Sequence, residues 1–405
     1  MERASKGKSP FYPGQPVPGE LFVGRRSQID HIIRRGVEQV EAGKPVAMYV
    51  QGEYGIGKSS IAGFVQWLAE REHGLHTIYA PLGAAETLEE VGAAILEATV
   101  RSGAFDPKRS ERVRAWLAKY IGEQSLFGVT VHTENLKRGA PTLASASGLL
   151  PFLNEVVGRL KETGVKGVFL VLDEINGVTA NPKFAHFIKG IVDTNAMSQA
   201  PLPLLLMLCG VEERRRDMIR HHQPVDRLFD VIEIERMSVQ EMRDFFQRAF
   251  ESVQIRVEHE AMDLMTRYSA GFPKIMHLVG DAAFWMDQDG VVTEDEALGA
   301  VFVAANEVGT KYVDQQVYKA LRSTDYHSIL AKIAKMGPDS MSFNKGDVAS
   351  GLTETEKKKF NNFLQKMKRL QVLRSGDVQG KYIFNVRMVR LYIWLQSLQE
   401  DRQRT

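Results

Sequence analysis

Short apolar runs alternate with amphipathic stretches between Leu21 and Glu235. The runs are Pro45–Gln51, Thr77–Leu82, Gly167–Leu172, Pro203–Cys209 and Val231–Ile234. None alternates in polarity, which is the pattern of strands covered on both faces. Strands separated by helical stretches predict an α/β fold with a parallel, doubly wound sheet. The stretch Gly122–Ala146 breaks this rhythm and reads as a hairpin or loop inserted before a helix over Leu149–Glu162. From Ser238 to Glu307 the pattern becomes wholly helical. Helices are expected over Val239–Glu251, Glu258–Ser269, Pro273–Met286 and Glu294–Asn306.

A third block follows the connection Tyr312–Arg322. Tyr326–Met336 and Asn344–Gly351 read as short helices and Thr353–Leu370 as a longer one. Thr353 followed three residues later by Glu356 is a capping-box spacing. Phe360, Phe363, Leu364, Met367 and Leu370 then form one apolar stripe. Val372–Arg374 and Tyr382–Val386 flank Gly376-Asp377-Val378-Gln379-Gly380, a hairpin turn. Three helices followed by a hairpin is the winged helix-turn-helix order. The expected organisation is an extended arm over 1–20, rich in proline (Pro10, Pro13, Pro16, Pro18), an α/β core over 21–236, a small helical lid over 237–308 and a winged helix over 309–405.

Composition narrows the classes. Apolar residues make up 44% of the 405 and charged residues 25%, a globular balance that excludes a collagen, a coiled-coil rod or wholesale disorder. The single cysteine, Cys209, cannot form an internal disulfide, which fits a reducing compartment. The most apolar run, Leu202–Val211, is about half the roughly 20 residues that a membrane helix needs. The expectation is a soluble, cytoplasmic protein with no membrane partner. Charge is uneven: residues 321–405 hold 16 Lys/Arg and 8 Asp/Glu, a net of +8, and the remaining 36 and 42 leave the rest at −6. A basic C-terminal block on an acidic body points toward nucleic acid.

Gly52-Glu53-Tyr54-Gly55-Ile56-Gly57-Lys58-Ser59 fits G-x-x-x-x-G-K-[ST] in full, between an apolar run and the helical pattern Ser60–Arg71. The glycines let backbone N–H groups close around phosphate oxygens. The helix start adds free donors and the positive end of a dipole. Lys58 supplies a point charge for the β- and γ-phosphates, and Ser59 a hydroxyl ligand for Mg²⁺. The second candidate is Val168-Phe169-Leu170-Val171-Leu172-Asp173-Glu174, an apolar strand ending in two carboxylates. Ligands bind at such strand ends in open α/β sheets. Asp173 would hold Mg²⁺, and Glu174 would orient and deprotonate an attacking water.

With these two motifs in place, the chain resembles the AAA+ class of P-loop ATPases, in its origin-recognition-like and STAND-related branches. Asp173-Glu174 looks like that class's Walker B pair. Leu21-Phe22-Val23-Gly24-Arg25 resembles a box through which such ATPases contact adenine, which implies Phe22, Val23 and Gly24 as nucleotide contacts beside Gly52, Tyr54, Gly55, Ile56, Gly57, Lys58, Ser59 and Ser60. Gly271-Phe272-Pro273-Lys274 resembles the sensor-2 box, implying Pro273 and Lys274, with lysine where arginine is usual. Lysine keeps the charge and loses the planar fork. At the sensor-1 position stands Cys209-Gly210, with no obvious polar group. Arg227 resembles the arginine presented to a neighbouring subunit's nucleotide; Arg214, Arg215, Arg216 and Arg220 are its rivals. The resemblance implies ATP and Mg²⁺ as cofactors, ATP hydrolysis as the reaction, and assembly into a homo-oligomer or with a partner protein.

In the last block, Lys357, Lys358, Lys366 and Arg369 on the third helix and Lys381 at the wing are the candidate contacts to double-stranded DNA. Two functional classes stay open. One is an ATP-gated DNA-binding switch of the replication, transposition or mobile-element type. The other is a STAND-like signalling or anti-phage defence ATPase whose winged helix contacts a protein. Trp67, Trp116 and Trp285 fall within helical patterns and read as packing residues.

Overall fold

The computed structural model describes residues 6–13, 24–103, 107–121, 143, 145–310, 317, 319–336, 340–370 and 372–404. Phe22, Val23, nearly all of the insertion before the helix at Leu149, and most of Tyr312–Arg322 lie outside them. The described residues form two compact units, 24–235 in one and 6–13 with 236–404 in the other.

The first unit is built on five parallel strands: β1 (Val46–Gly52), β2 (Leu75–Pro81), β3 (Gly167–Asp173), β4 (Leu204–Gly210) and β5 (Asp230–Ile234). Their order is β2-β3-β4-β1-β5. Inner strands β3 and β4 are buried at every residue, which is why their sequences show no alternation. Edge strand β5 alternates, with Ile232 and Ile234 inward and Val231 and Glu233 outward. Helices α1 (Arg26–Ile32) and α2 (Lys58–Glu72) precede and follow β1. Gln66 and Glu70 of α2 reach Thr77 of β2 at 2.9 and 2.7 Å. Helices α3 (Leu88–Arg101), α4 (Pro107–Ile121), α5 (Ala146–Leu160) and α6 (Pro182–Ala196) belong to the opposite face. Their Val91, Ile95, Leu153 and Ile188 share one core with Ile78, Leu170 and Leu206 of the sheet. Helix α7 (Glu212–His221) leads toward β5.

In the second unit, α8 (Val239–Glu251), α9 (His259–Ser269), α10 (Pro273–Met286) and α11 (Glu294–Val308) form a helical block. A short parallel pair, β6 (Arg256–Val257) with β7 (Val291–Val292), joins two of its loops. Helices α12 (Thr324–Ala334), α13 (Lys345–Ser350) and α14 (Glu354–Arg369) precede the strands β9 (Leu373–Ser375) and β10 (Lys381–Phe384). A third strand, β8 (Ser342–Asn344), pairs with β10, giving the order β8-β10-β9. Three residues are too short to show any periodicity, so the sequence does not predict β8. The chain continues into α15 (Arg387–Arg404). Its fully buried Arg390 donates to the carbonyls of Ile333 and Ala334 at 3.2 and 2.9 Å, satisfying the C-terminal end of α12.

Capping boxes start α3, α8, α11 and α14, each with a Thr or Ser followed three residues on by Glu. Trp116 is buried as expected, whereas Trp285 is 57% exposed on the last turn of α10. Helical periodicity places a residue on a stripe without saying whether another element covers it.

The proline-rich arm is anchored in the second unit. Phe11 is buried against Phe245, Phe246 and Phe250, with ring centroids at 5.9, 6.3 and 5.0 Å. Gly280 on α10 makes the room: a Cβ there would lie 2.3 Å from the Phe11 ring. Tyr12 N–H donates to His277 Nδ1 at 3.1 Å, and Lys6 pairs with Asp287 at 2.8 Å. No helix among the described residues is long and apolar enough to cross a membrane.

Candidate functional site

Strand β1 delivers the chain to Gly52, beside the end of β5. A Cβ at Gly52 would lie 2.7 Å from the Ile234 carbonyl oxygen, so a side chain is excluded by close approach. Gly55 and Gly57 then take φ of +76° and +101°. Gly57 is the N-cap of α2, whose first-turn N–H groups have no partner inside the helix. Ile56 is buried and anchors the loop, Tyr54 is exposed, and Ser60 is half-buried.

The Lys58 ammonium folds back over the loop, donating to the carbonyls of Gly52 at 2.9 Å and Glu53 at 2.8 Å. Burial pushes its pKa down, against the opposing pull of Asp173 and Glu174. Asp173, at the end of β3, is 3% exposed. Its Oδ1 accepts the Glu174 N–H at 2.8 Å and its Oδ2 accepts the Tyr79 hydroxyl of β2. The Ser59 side chain lies beside the Tyr79 hydroxyl. Glu174 is exposed and takes a left-handed φ of +55°. Its carboxylate lies over Gly83, where a Cβ would be 2.5 Å from Oε2. The two sequence motifs therefore gather at the C-terminal edge of the sheet: an ammonium, a hydroxyl and two carboxylates.

Three residues that sequence reasoning missed shape this edge. Tyr79 and Gly83 come from β2 and the turn after it. The available signal was Thr77 and Tyr79, polar groups two apart on one face of an otherwise apolar strand. The third is Arg25, buried at φ +61°, which donates to the carbonyls of Ile56 at 2.9 Å and of Glu235. It braces the loop against the end of the core; beside it Gly24 takes φ +82°. Nothing in a sequence distinguishes a bracing arginine from a solvated one.

Beyond β4, Cys209 is fully buried, and burial raises its thiol pKa well above the ordinary range. Gly210 leaves room for the Tyr49 hydroxyl, which donates to the Val211 carbonyl at 3.1 Å. Among the arginines before β5, Arg214 and Arg220 pair with Asp217, Arg216 with Glu212, and Arg215 with Asp226. Arg227 ends a short 3₁₀ turn, is exposed, and has no ion pair among the described residues. In the other unit, Gly271 takes φ +82° where a Cβ would meet Arg236 and Met237 at 2.7 Å. Phe272 lies under the Arg236 guanidinium at 4.6 Å, Pro273 opens α10, and Lys274 sits in its first turn.

On α14, Phe360, Phe363, Leu364 and Met367 are buried. Lys357, Lys358 and Arg369 are exposed on the opposite side, together with Asn361, Asn362 and Gln365. Lys366 is half-buried and bonded to the Ala320 carbonyl, and Lys381 is half-buried on β10.

These donors fit a nucleotide triphosphate with a hard divalent cation. The first-turn amides of α2 and a half-buried ammonium suit phosphate, and a hydroxyl beside a buried carboxylate suits Mg²⁺, which takes few protein ligands and completes its shell with phosphate oxygens and water.

Among solved structures, the chain is similar to the ORC2 protein of Aeropyrum pernix in its ADPNP-ADP complexes, with a TM-score of 0.57 at 13% identity over 97% of each chain. It is also similar to a Walker-type ATPase of Pyrococcus abyssi, with a TM-score of 0.54 at 16% identity over 92% of this chain and 96% of that one. No family model and no curated protein matches the chain. At such identities the likeness is one of fold: an α/β architecture built on a five-stranded parallel sheet.

Proposed function

We propose that the protein is a Mg²⁺-dependent ATPase that couples its nucleotide state to self-assembly and to double-stranded DNA. The observation that carries this reading is the convergence of Lys58 and Ser59 with Asp173 and Glu174 at one sheet edge. The amides of the loop and of the first turn of α2, with Lys58, hold the phosphates, and the resemblance of 21–25 assigns Phe22, Val23 and Gly24 to the adenine. Ser59 and Asp173 hold the cation, which neutralises charge on the phosphate oxygens when bound. Glu174 orients a water against the γ-phosphorus and takes its proton as the new P–O bond forms. The bond to the ADP oxygen breaks, leaving ADP and phosphate. The A. pernix neighbour, solved with ADPNP and ADP, supports nucleotide as the ligand.

By its resemblance to the sensor-2 box, Lys274 in the first turn of α10 is a further candidate nucleotide contact. Arg227, exposed and unpaired among its own unit's described residues, serves a neighbouring copy. The domains follow as core 21–236, helical lid 237–308 and winged helix 309–405. Helix α14 and the three-stranded sheet support the last of these. On the outer face of α14, lysines and an arginine stand among Asn361, Asn362 and Gln365, residue types that contact phosphates and read adenine in a major groove.

Calorimetry with ATP and Mg²⁺ on the wild type and on Glu174→Gln tests the core of this. Both should bind, while phosphate release by the variant falls by roughly 10²–10⁴. No binding by the wild type removes the reading, and equal phosphate release by the two removes hydrolysis from it.

A further inference from the structure

The structure assigns Tyr79 as a positioning residue: we infer that its hydroxyl sets the geometry of Asp173, beside Ser59, for a divalent cation. This inference rests on the nucleotide reading of that edge. The register between β2 and β3 pairs Tyr79 with Val171 and Pro81 with Asp173. Side chains two apart on a strand share a face. Tyr79 and Asp173 therefore project to the same side, the side where Gln66 and Glu70 of α2 reach Thr77.

Hydrogen-bond directions follow from the donor inventory. An ionised carboxylate only accepts, so at Asp173 Oδ2 the Tyr79 hydroxyl is the donor. At Asp173 the Glu174 N–H occupies Oδ1 and Tyr79 occupies Oδ2, so the carboxylate is fixed at both oxygens. One lone-pair site remains on each oxygen.

Thr77, two residues earlier on the same face, is the contrast. Its hydroxyl donates to Glu70 at 2.7 Å and accepts from Gln66 at 2.9 Å, which ties α2 to the sheet without touching either candidate ligand. Loss of the Thr77 hydroxyl is therefore a packing control for loss of the Tyr79 hydroxyl.

The test uses the full-length chain and a fluorescent ATP analogue. The Mg²⁺ concentration that half-maximally tightens analogue binding is measured for wild type, Tyr79→Phe and Thr77→Val, with the affinity in EDTA as baseline. Removing an outer-shell partner of a metal ligand typically costs about 10–100-fold in metal affinity or activity. Tyr79→Phe should raise the half-saturating Mg²⁺ by about tenfold or more, with the EDTA affinity unchanged and Thr77→Val behaving as wild type. Unchanged Mg²⁺ dependence in Tyr79→Phe overturns the assignment, as does an equal shift in Thr77→Val. Failure of the wild type to bind the analogue at all would instead overturn the nucleotide reading beneath it.

Discussion

The sheet edge of the first unit and the outer face of α14 both carry concentrated charge, yet they are built in opposite ways. At the sheet edge, Asp173 is buried and bonded at both oxygens, and Lys58 bonds two loop carbonyls. Glycine is imposed there by left-handed φ at Gly55 and Gly57 and by close approach at Gly52. On α14 the charges of the outer face stand on long side chains in solvent. Lys357 pairs with Glu354 one turn away, and Lys359 reaches Asp325. Exposed pairs of this kind contribute at most about 1 kcal/mol. The first region is fixed before any ligand arrives; the second acquires geometry only from what it binds. Single substitutions should therefore act steeply at the first and gradually at the second.

The largest effect expected is at Arg227. Its rivals in α7 are held by carboxylates of their own unit, which leaves Arg227 for a neighbour. An arginine supplied in trans is worth about 10³–10⁵ in turnover. Arg227→Ala should lose that much phosphate release while still binding ATP. Adding Lys58→Ala protein, inactive itself but carrying a native Arg227, should restore part of it in mixed assemblies. Normal turnover by Arg227→Ala alone would end the assignment and leave the sheet edge self-sufficient.

A smaller and graded effect is expected on α14. Each phosphate neutralised contributes about 0.9 to the slope of log affinity against log salt on duplex DNA. Replacing Lys357, Lys358 and Arg369 together by alanine should make that slope shallower by about 2–3, with single variants giving proportionate steps. Gel-shift titration of random duplex between low and high salt reads this. A slope indifferent to the three charges would point to a protein partner on this face and would break the comparison. Lys366 is a weaker choice for such a series, because its ammonium is already bound to the Ala320 carbonyl.

The same contrast explains what could be read in the sequence. The five strands, and helices such as Val239–Glu251 and Pro273–Met286, follow from runs whose burial is uniform or periodic. The turn conformation of residues 52–57 could be read from its glycines because backbone geometry there restricts the residue types. Tyr79, Gly83 and Arg25 could not, since their partners lie 94, 91 and 31 residues away (Asp173, Glu174 and Ile56) and only folding brings them close. The arm's prolines said nothing of its anchoring, which for residues 6–13 depends on a space that Gly280 leaves on a helix more than 260 residues later. Trp285 shows the reverse failure, an apolar residue at a helical position that no described element covers.

The smallest effect sharpens the comparison from the α14 side. Thr353 is the N-cap of that helix: its hydroxyl accepts the Glu356 N–H at 3.4 Å, and the Glu356 carboxylate accepts the Thr353 N–H at 2.7 Å. Glu356 is buried and also bonded to Lys332 at 2.6 Å. Burial alone would raise its carboxyl pKa, but Lys332 and the cap outweigh this and hold it down at about 2. Thr353→Ala removes the hydroxyl and leaves the Glu356–Lys332 pair in place. Loss of such a cap costs about 1 kcal/mol, read as a lower denaturation midpoint of the second unit. The charges on the face of α14 are untouched, so the slope of DNA affinity against salt should stay at its wild-type value. A changed slope at unchanged stability would mean that the start of α14 itself contacts the ligand and that this face is more preorganised than its exposed lysines imply.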